Sequence, residues 1–216
     1  MPAVSNRLPS PPENLAELKT RINRIERAGS TRAAATTVIS TGAAEIDAAL
    51  PWGGLPACGL HEVFGDAAAT GFAASLLGRL AALKPDAPVL WCQQSRDLYG
   101  HGIVAFGLDP RRLIMVHGRS DTDILWAMEE GLATPGLAAV VGALHKMPPI
   151  AGRRLQLAAE ERGSFGLLLR PLDPFAPPRA AAELAATSMA LTRWHVAGAP
   201  SEPLILVQNW AARVRP

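Results

Sequence analysis

The chain has 216 residues, 49% hydrophobic and 19% charged, which is enough apolar material for one packed domain with a modest appendage. Its net charge is only +2, low for a protein that holds nucleic acid mainly by neutralising phosphates. No run of about 18 apolar residues offers a membrane span, and the opening MPAVSNRLPSPPENL lacks the apolar core of a secretory signal. Cys58 and Cys92 are far apart and form no CxxC pair, which speaks against a disulfide framework or zinc site and for a reducing cytoplasm.

Residues 1–12 are rich in Pro and Ser and are expected to be disordered. Asn14 then reads as a helix N-cap with Glu17 three residues on. Leu15, Leu18, Ile22 and Ile25 follow at helical spacing, opposite Lys19, Arg21, Arg24 and Arg27. This amphipathic helix and a small-residue linker occupy 13–37. Its apolar stripe must be covered, by the chain's own core or by another protein.

From Val38 onward strands and helices alternate. Strands are expected at Gly59–Phe64, Pro88–Cys92, Leu113–Val116, Leu137–Val141 and Gly166–Leu169, with closing strands at Leu191–Val196 and Leu204–Val207. Helices are expected at Ala67–Leu83, 97–106, Thr122–Ala133 and Arg153–Arg162. Apolar strands separated by helices imply a mostly parallel sheet covered on both faces. The core is set at 38–210 and a C-terminal tail at 211–216.

The entry to this core is informative. Thr41 and Gly42, Ile46 and Asp47, Gly53-Gly54-Leu55-Pro56 and Gly59 precede a strand ending at Gly65. This composite resembles the entry to the RecA/RadA core, where such a strand runs into a phosphate loop. The fold implied is α/β, a RecA-like P-loop-type core with a mostly parallel sheet flanked by helices, plus the N-terminal amphipathic helix.

A working phosphate loop needs G-x-x-x-x-G-K-[ST]. Backbone N–H groups at a helix N-terminus cradle phosphates, lysine reaches the β- and γ-phosphates, and the hydroxyl holds magnesium. Here the loop is GDAAATGF: Gly65 and Asp66 open it, Thr70 replaces the second glycine, Gly71 stands at the lysine and Phe72 at the hydroxyl. The three lysines of the chain, Lys19, Lys84 and Lys146, all lie elsewhere. Asp66 would oppose a triphosphate, since two like unit charges at about 4 Å repel by roughly 4 kcal/mol at an effective dielectric of about 20. Gly142 follows the Leu137–Val141 strand where a magnesium-orienting Asp belongs. Gln93 and Gln94 follow the second strand where a catalytic Glu belongs, and an amide is no general base. These losses imply a chain that is no ATPase and needs no cofactor, its empty loop filled by Ala67–Ala69 and Phe72.

With RRLQLAAEERGSFGLLLRP (Arg153–Pro171), ALTRWHV (Ala190–Val196) and APSEP (Ala199–Pro203), the degraded loop resembles the ImuA family, RecA-related members of the bacterial damage-inducible mutagenesis cassette. The resemblance implies an accessory role in error-prone translesion synthesis. The partners implied are an ImuB-type adaptor and an error-prone replicative-type polymerase, with RecA as a further candidate and only weak direct DNA contact. Two alternatives remain open: a SulA-like division inhibitor and a nucleotide-binding RecA paralogue. Leu15, Leu18, Ile22, Ile25 and Phe175 are the candidate partner-binding residues. His145-Lys146 and Arg153-Arg154 flank the stretch where RecA-type proteins place a DNA loop, and Pro148-Pro149 is expected to stiffen it. The five histidines show no metal-ligand spacing, and Ser164 in GSFG is no nucleophile elbow.

Overall fold

The computed structural model describes residues 37–172, 188–198 and 210–213, the last four by backbone only. The expected disordered start, the helix bearing Leu15, Leu18, Ile22 and Ile25, the loop residue Phe175 and the strand at Leu204–Val207 lie outside the described residues.

Two short strands, β1 (Val38–Ile39) and β2 (Leu55–Pro56), pair antiparallel around a six-residue helix, α1 (Ala44–Ala49). Asp47 fastens this entry. Its carboxylate accepts from Ser40 Oγ at 2.6 Å, Thr41 N at 2.8 Å and Thr41 Oγ1 at 2.7 Å. Burial works against the charge, but these donors outweigh it and hold the carboxyl below its ordinary range. Thr41 and Asp47, two residues of the entry motif, therefore staple a loop together.

The main sheet contains β3 (Gly59–Gly65), β4 (Val89–Gln93), β5 (Leu113–His117), β6 (Ala139–Ala143), β7 (Phe165–Pro171), β8 (Thr192–Gly198) and β9 (Trp210–Arg213), in the order β5-β4-β6-β7-β3-β8-β9. Six strands are parallel and β9 runs antiparallel on β8. The connecting helices are α2 (Ala67–Leu83), α3 (Gly100–Val104), α4 (Asp121–Ala133) and α5 (Pro149–Arg162). The expected α/β architecture, a mostly parallel sheet between helices, is the one observed.

Strand alternation divides the core into two layers. Val63, Val141, Leu167, Leu169 and Trp194 pack with Phe72, Leu76, Leu77 and Leu80 of α2. Leu60, Val140 and Leu168 point the other way, onto Ile124, Met128 and Leu132 of α4 and Leu155 and Ala159 of α5. Both faces are covered, so the central strands are largely apolar, with Glu62 on β3 and Arg170 on β7 as buried exceptions. Each helix has its own start and stop. Asp66 caps α2, Ser120 and Asp123 form a capping box on α4, and Gly163 ends α5 at φ 63°.

Several limits differ from expectation for physical reasons. The sixth strand starts and ends two residues later than read, because Gly136 turns the chain at φ 89° and Ala138 N is already tied to Pro88 O at 2.8 Å. The helix expected from Arg153 starts at Pro149. Proline suits a first helical turn, where no N–H partner is needed, so Pro149 opens a helix instead of stiffening a loop. The helix expected over 97–106 shortens to Gly100–Val104, and Gly107 at φ 84° follows it. Trp210–Arg213 pairs with β8 across the boundary placed at 210. Among the described residues, no helix is long and apolar enough to cross a membrane.

Candidate functional site

The GDAAATGF loop lies between β3 and α2, at the C-terminal edge of the sheet. Gly65 pairs with Pro171 of β7 and Val196 of β8. Its φ is 148°, and a Cβ there would lie 1.7 Å from Val196 O. Close approach of β8 requires the glycine. Asp66 bonds on both sides: Oδ1 accepts from Ala68 N at 2.8 Å, and Oδ2 accepts from Gly198 N at 2.9 Å. A carboxylate of the chain itself thus sits at the N-terminus of α2, the position that favours an anion.

The remaining loop residues part ways. Phe72 is fully buried and its ring meets Trp194 at 5.3 Å, so it belongs to the core beneath α2 and does not fill the loop. Thr70 and Gly71 line a cavity of about 360 Å³ that stays open beside the helix, together with Ala67, Trp91, Gln93, Tyr99, Phe106 and Ala143. Of the candidate residues, then, Gly65 and Asp66 bind the strand ends, Thr70 and Gly71 border the cavity, and Phe72 leaves it. Asp97 is the one charged residue among the described lining residues.

The strand ends complete this cavity. Gln93 is buried; its Oε1 accepts from Trp91 Nε1 at 2.8 Å and its Nε2 donates to Ser95 O at 2.8 Å. Gln94 turns outward and donates to Asp121 Oδ1 at 2.6 Å. Gly142 lies inside β6, not after it, and faces α4, where a Cβ would strike Met128 Sδ at 2.0 Å. The residue that ends β6 and lines the cavity is Ala143.

A second polar cluster escaped the sequence reading. Glu62, on β3, is buried and bonds Arg170 of β7 and Arg193 of β8, each at 3.1 Å. Arg170 also donates to His145 O at 2.7 Å, and the Arg193 guanidinium lies 4.9 Å from the Phe64 ring, which stacks on His195. The available signal was a charge inside each of two otherwise apolar strands, HEVF and LLLRP. The histidines divide similarly. His61 is fully buried, stacked on Phe165 and bonded to Thr192 Oγ1 and Cys58 O; burial pushes its pKa down to about 4. His101, His117, His145 and His195 are exposed. Among the described residues, no three His, Cys, Asp or Glu side chains converge as a metal site would require.

No family model matches the chain. Protein ImuA of Caulobacter vibrioides strain NA1000 / CB15N is 39% identical over 179 residues, covering 78% of this chain and 71% of the relative. Protein ImuA of strain ATCC 19089 / CIP 103742 / CB 15 matches equally. Among solved structures, SulA from Pseudomonas aeruginosa aligns with a TM-score of 0.46 at 17% identity, over 52% of this chain and 98% of that one. The sequence identity and its extent place this chain in the ImuA family.

Proposed function

We propose that the chain is a non-catalytic RecA-like accessory protein of damage-induced, error-prone translesion DNA synthesis, working in the cytoplasm. It acts through an ImuB-type adaptor and an error-prone replicative-type polymerase, with RecA as a further partner and weak direct DNA contact. The observation that carries the non-catalytic part is the Asp66 carboxylate at the start of α2, bonded to Ala68 N and Gly198 N. A triphosphate brought there would meet a fixed negative charge and, among the described lining residues of the neighbouring cavity, no cation. Membership in the ImuA family supports the mutagenesis role.

Two measurements test this reading. Purified protein incubated with Mg-ATP is expected to show no turnover; turnover that disappears in Gly65→Ala or Gly71→Ala protein would defeat the non-catalytic part. The tagged chain, captured from DNA-damaged cells, is expected to bring down an ImuB-type protein, the error-prone polymerase or RecA. Recovery of a division protein such as FtsZ, with no polymerase component, would replace the reading with a division inhibitor. Leu18→Asp with Ile22→Asp is expected to abolish capture while the core still folds.

A further inference from the structure

The helices α4 and α5 cover one face of the sheet and leave apolar side chains on their own outer side. Each links two parallel strands, so they run side by side in the same direction. Arg154 of α5 donates to Glu129 of α4 at 2.7 Å, which ties the two outer faces together. Trp126 stands one helical turn before Glu129, and Ile150 and Leu157 stand one turn to either side of Arg154. Trp126 is 66% exposed, Ile150 78% and Leu157 46%. A tryptophan and two aliphatic side chains grouped in this way mark a surface that is covered in use. The same face is acidic. The two helices carry six carboxylates against three arginines, and Glu130 and Glu161 are exposed one turn after Trp126 and Leu157.

We propose that this face is the docking site of the chain's own N-terminal segment, with Leu15, Leu18, Ile22 and Ile25 laid across Trp126, Ile150 and Leu157. Position, length and charge select this occupant. The described residues begin at Thr37, which shares a pocket with Gly163, the residue that ends α5. The segment therefore departs from one end of the helix it would cover. Residues 29–36 extend to about 27 Å, and the 14 residues of α5 span about 21 Å, so a helix over 14–28 can reach the whole patch. Residues 1–32 carry six basic groups against three acidic, the opposite balance to that of α4 and α5. At 3.6 residues per turn Lys19 and Arg21 border the apolar stripe, one on each side. Docking the stripe brings them down toward Glu130 on α4 and Glu161 on α5. A tether of this length holds the segment at an effective concentration of about a millimolar, so a contact too weak for a free peptide is enough. The inference concerns the chain alone and does not depend on the partners proposed above. Capture lost on Leu18→Asp with Ile22→Asp would then include the effect of undocking.

Hydrogen–deuterium exchange of the full-length chain tests this, read by mass spectrometry in peptides covering 14–28, 59–83, 121–133 and 149–162. In the wild type the amides of 14–28 are expected to exchange at least about tenfold more slowly than in Trp126→Asp with Ile150→Asp protein. Both substituted side chains are exposed, so 59–83 should exchange as in the wild type and report a folded core. Leu18→Asp with Ile22→Asp acts from the other side of the contact. It should release 14–28 and hasten exchange in 121–133 and 149–162, and it decides alone if the first variant misfolds. Tenfold dilution should change nothing, because a tethered contact is independent of protein concentration. Rapid exchange of 14–28 in the wild type would overturn the proposal. So would protection that survives Trp126→Asp with Ile150→Asp, or unchanged exchange in 121–133 and 149–162 on Leu18→Asp with Ile22→Asp. Protection that fades on dilution, with a dimer in sedimentation, would overturn it in favour of a second copy of the chain.

Discussion

At the residue scale the buried ionisable groups set the stability of the chain against pH. His61 has an ordinary pKa of 6.5 and a folded value pushed down to about 4 by burial. Between these values the unfolded chain binds more protons, so stability rises with pH across that window and is lost as pH falls toward 4. The span corresponds to about 3 kcal/mol at most. Urea midpoints measured from pH 7 down to pH 4.5 should decline in the wild type and flatten in His61→Leu protein; a slope that persists in the variant would acquit His61. Glu62→Gln removes the buried carboxylate that pairs with Arg170 and Arg193 and is expected to cost about 3 kcal/mol, because it leaves the buried Arg170 guanidinium without its counter-charge. Denaturant titration checks it, and a loss under about 1 kcal/mol would mean the cluster is solvated. At this scale the sequence shows that Lys19, Lys84 and Lys146 all lie outside the GDAAATGF loop. What the loop residues bond to could not be read from it, since Asp66 meets Gly198 across 132 positions and Gly65 is dictated by Val196.

Elements were legible where local chemistry governs them. Ala67–Leu83 could be bounded to the residue because Asp66 caps it and its interior is Ala- and Leu-rich. β6 was misplaced by two residues because a run of Leu, Ala and Val carries no internal punctuation. Gly78 illustrates a rule overridden by packing. Alanine in a helix interior is ordinarily favoured over glycine by about 1 kcal/mol. At Gly78 a Cβ would lie 2.1 Å from Phe106 O, because the turn after α3 crosses α2 at that point. Gly78→Ala should therefore lower the thermal midpoint despite its helix propensity. A raised midpoint would show that the turn yields.

For the whole molecule, the alternation of apolar strands and helices was enough to give a parallel α/β sheet. The order β5-β4-β6-β7-β3-β8-β9 was not accessible, since it rests on crossovers between distant strands. Nor was the antiparallel addition of Trp210–Arg213, which short sequence patterns around a strand of four residues do not announce. The order has a consequence at the far edge. Among the described residues β5 has one strand neighbour, and it exposes Ile114 and Met115. Unpaired backbone and apolar side chains are then presented together on one border of the sheet.

The Asp66 bridge finally bears on how the protein is switched. A fold that waits for a nucleotide gains stability when the ligand arrives, by an amount set by concentration over dissociation constant. Here the anion is covalently part of the chain, at an effective concentration that never varies, and it already joins the start of α2 to the end of β8. The melting temperature is expected to be the same with and without Mg-ATP. If Asp66 stands in for the nucleotide as proposed, the protein would have no empty and loaded forms to alternate between. Its activity would follow how much of it the cell makes and which partners are present, and would be indifferent to the energy charge around it.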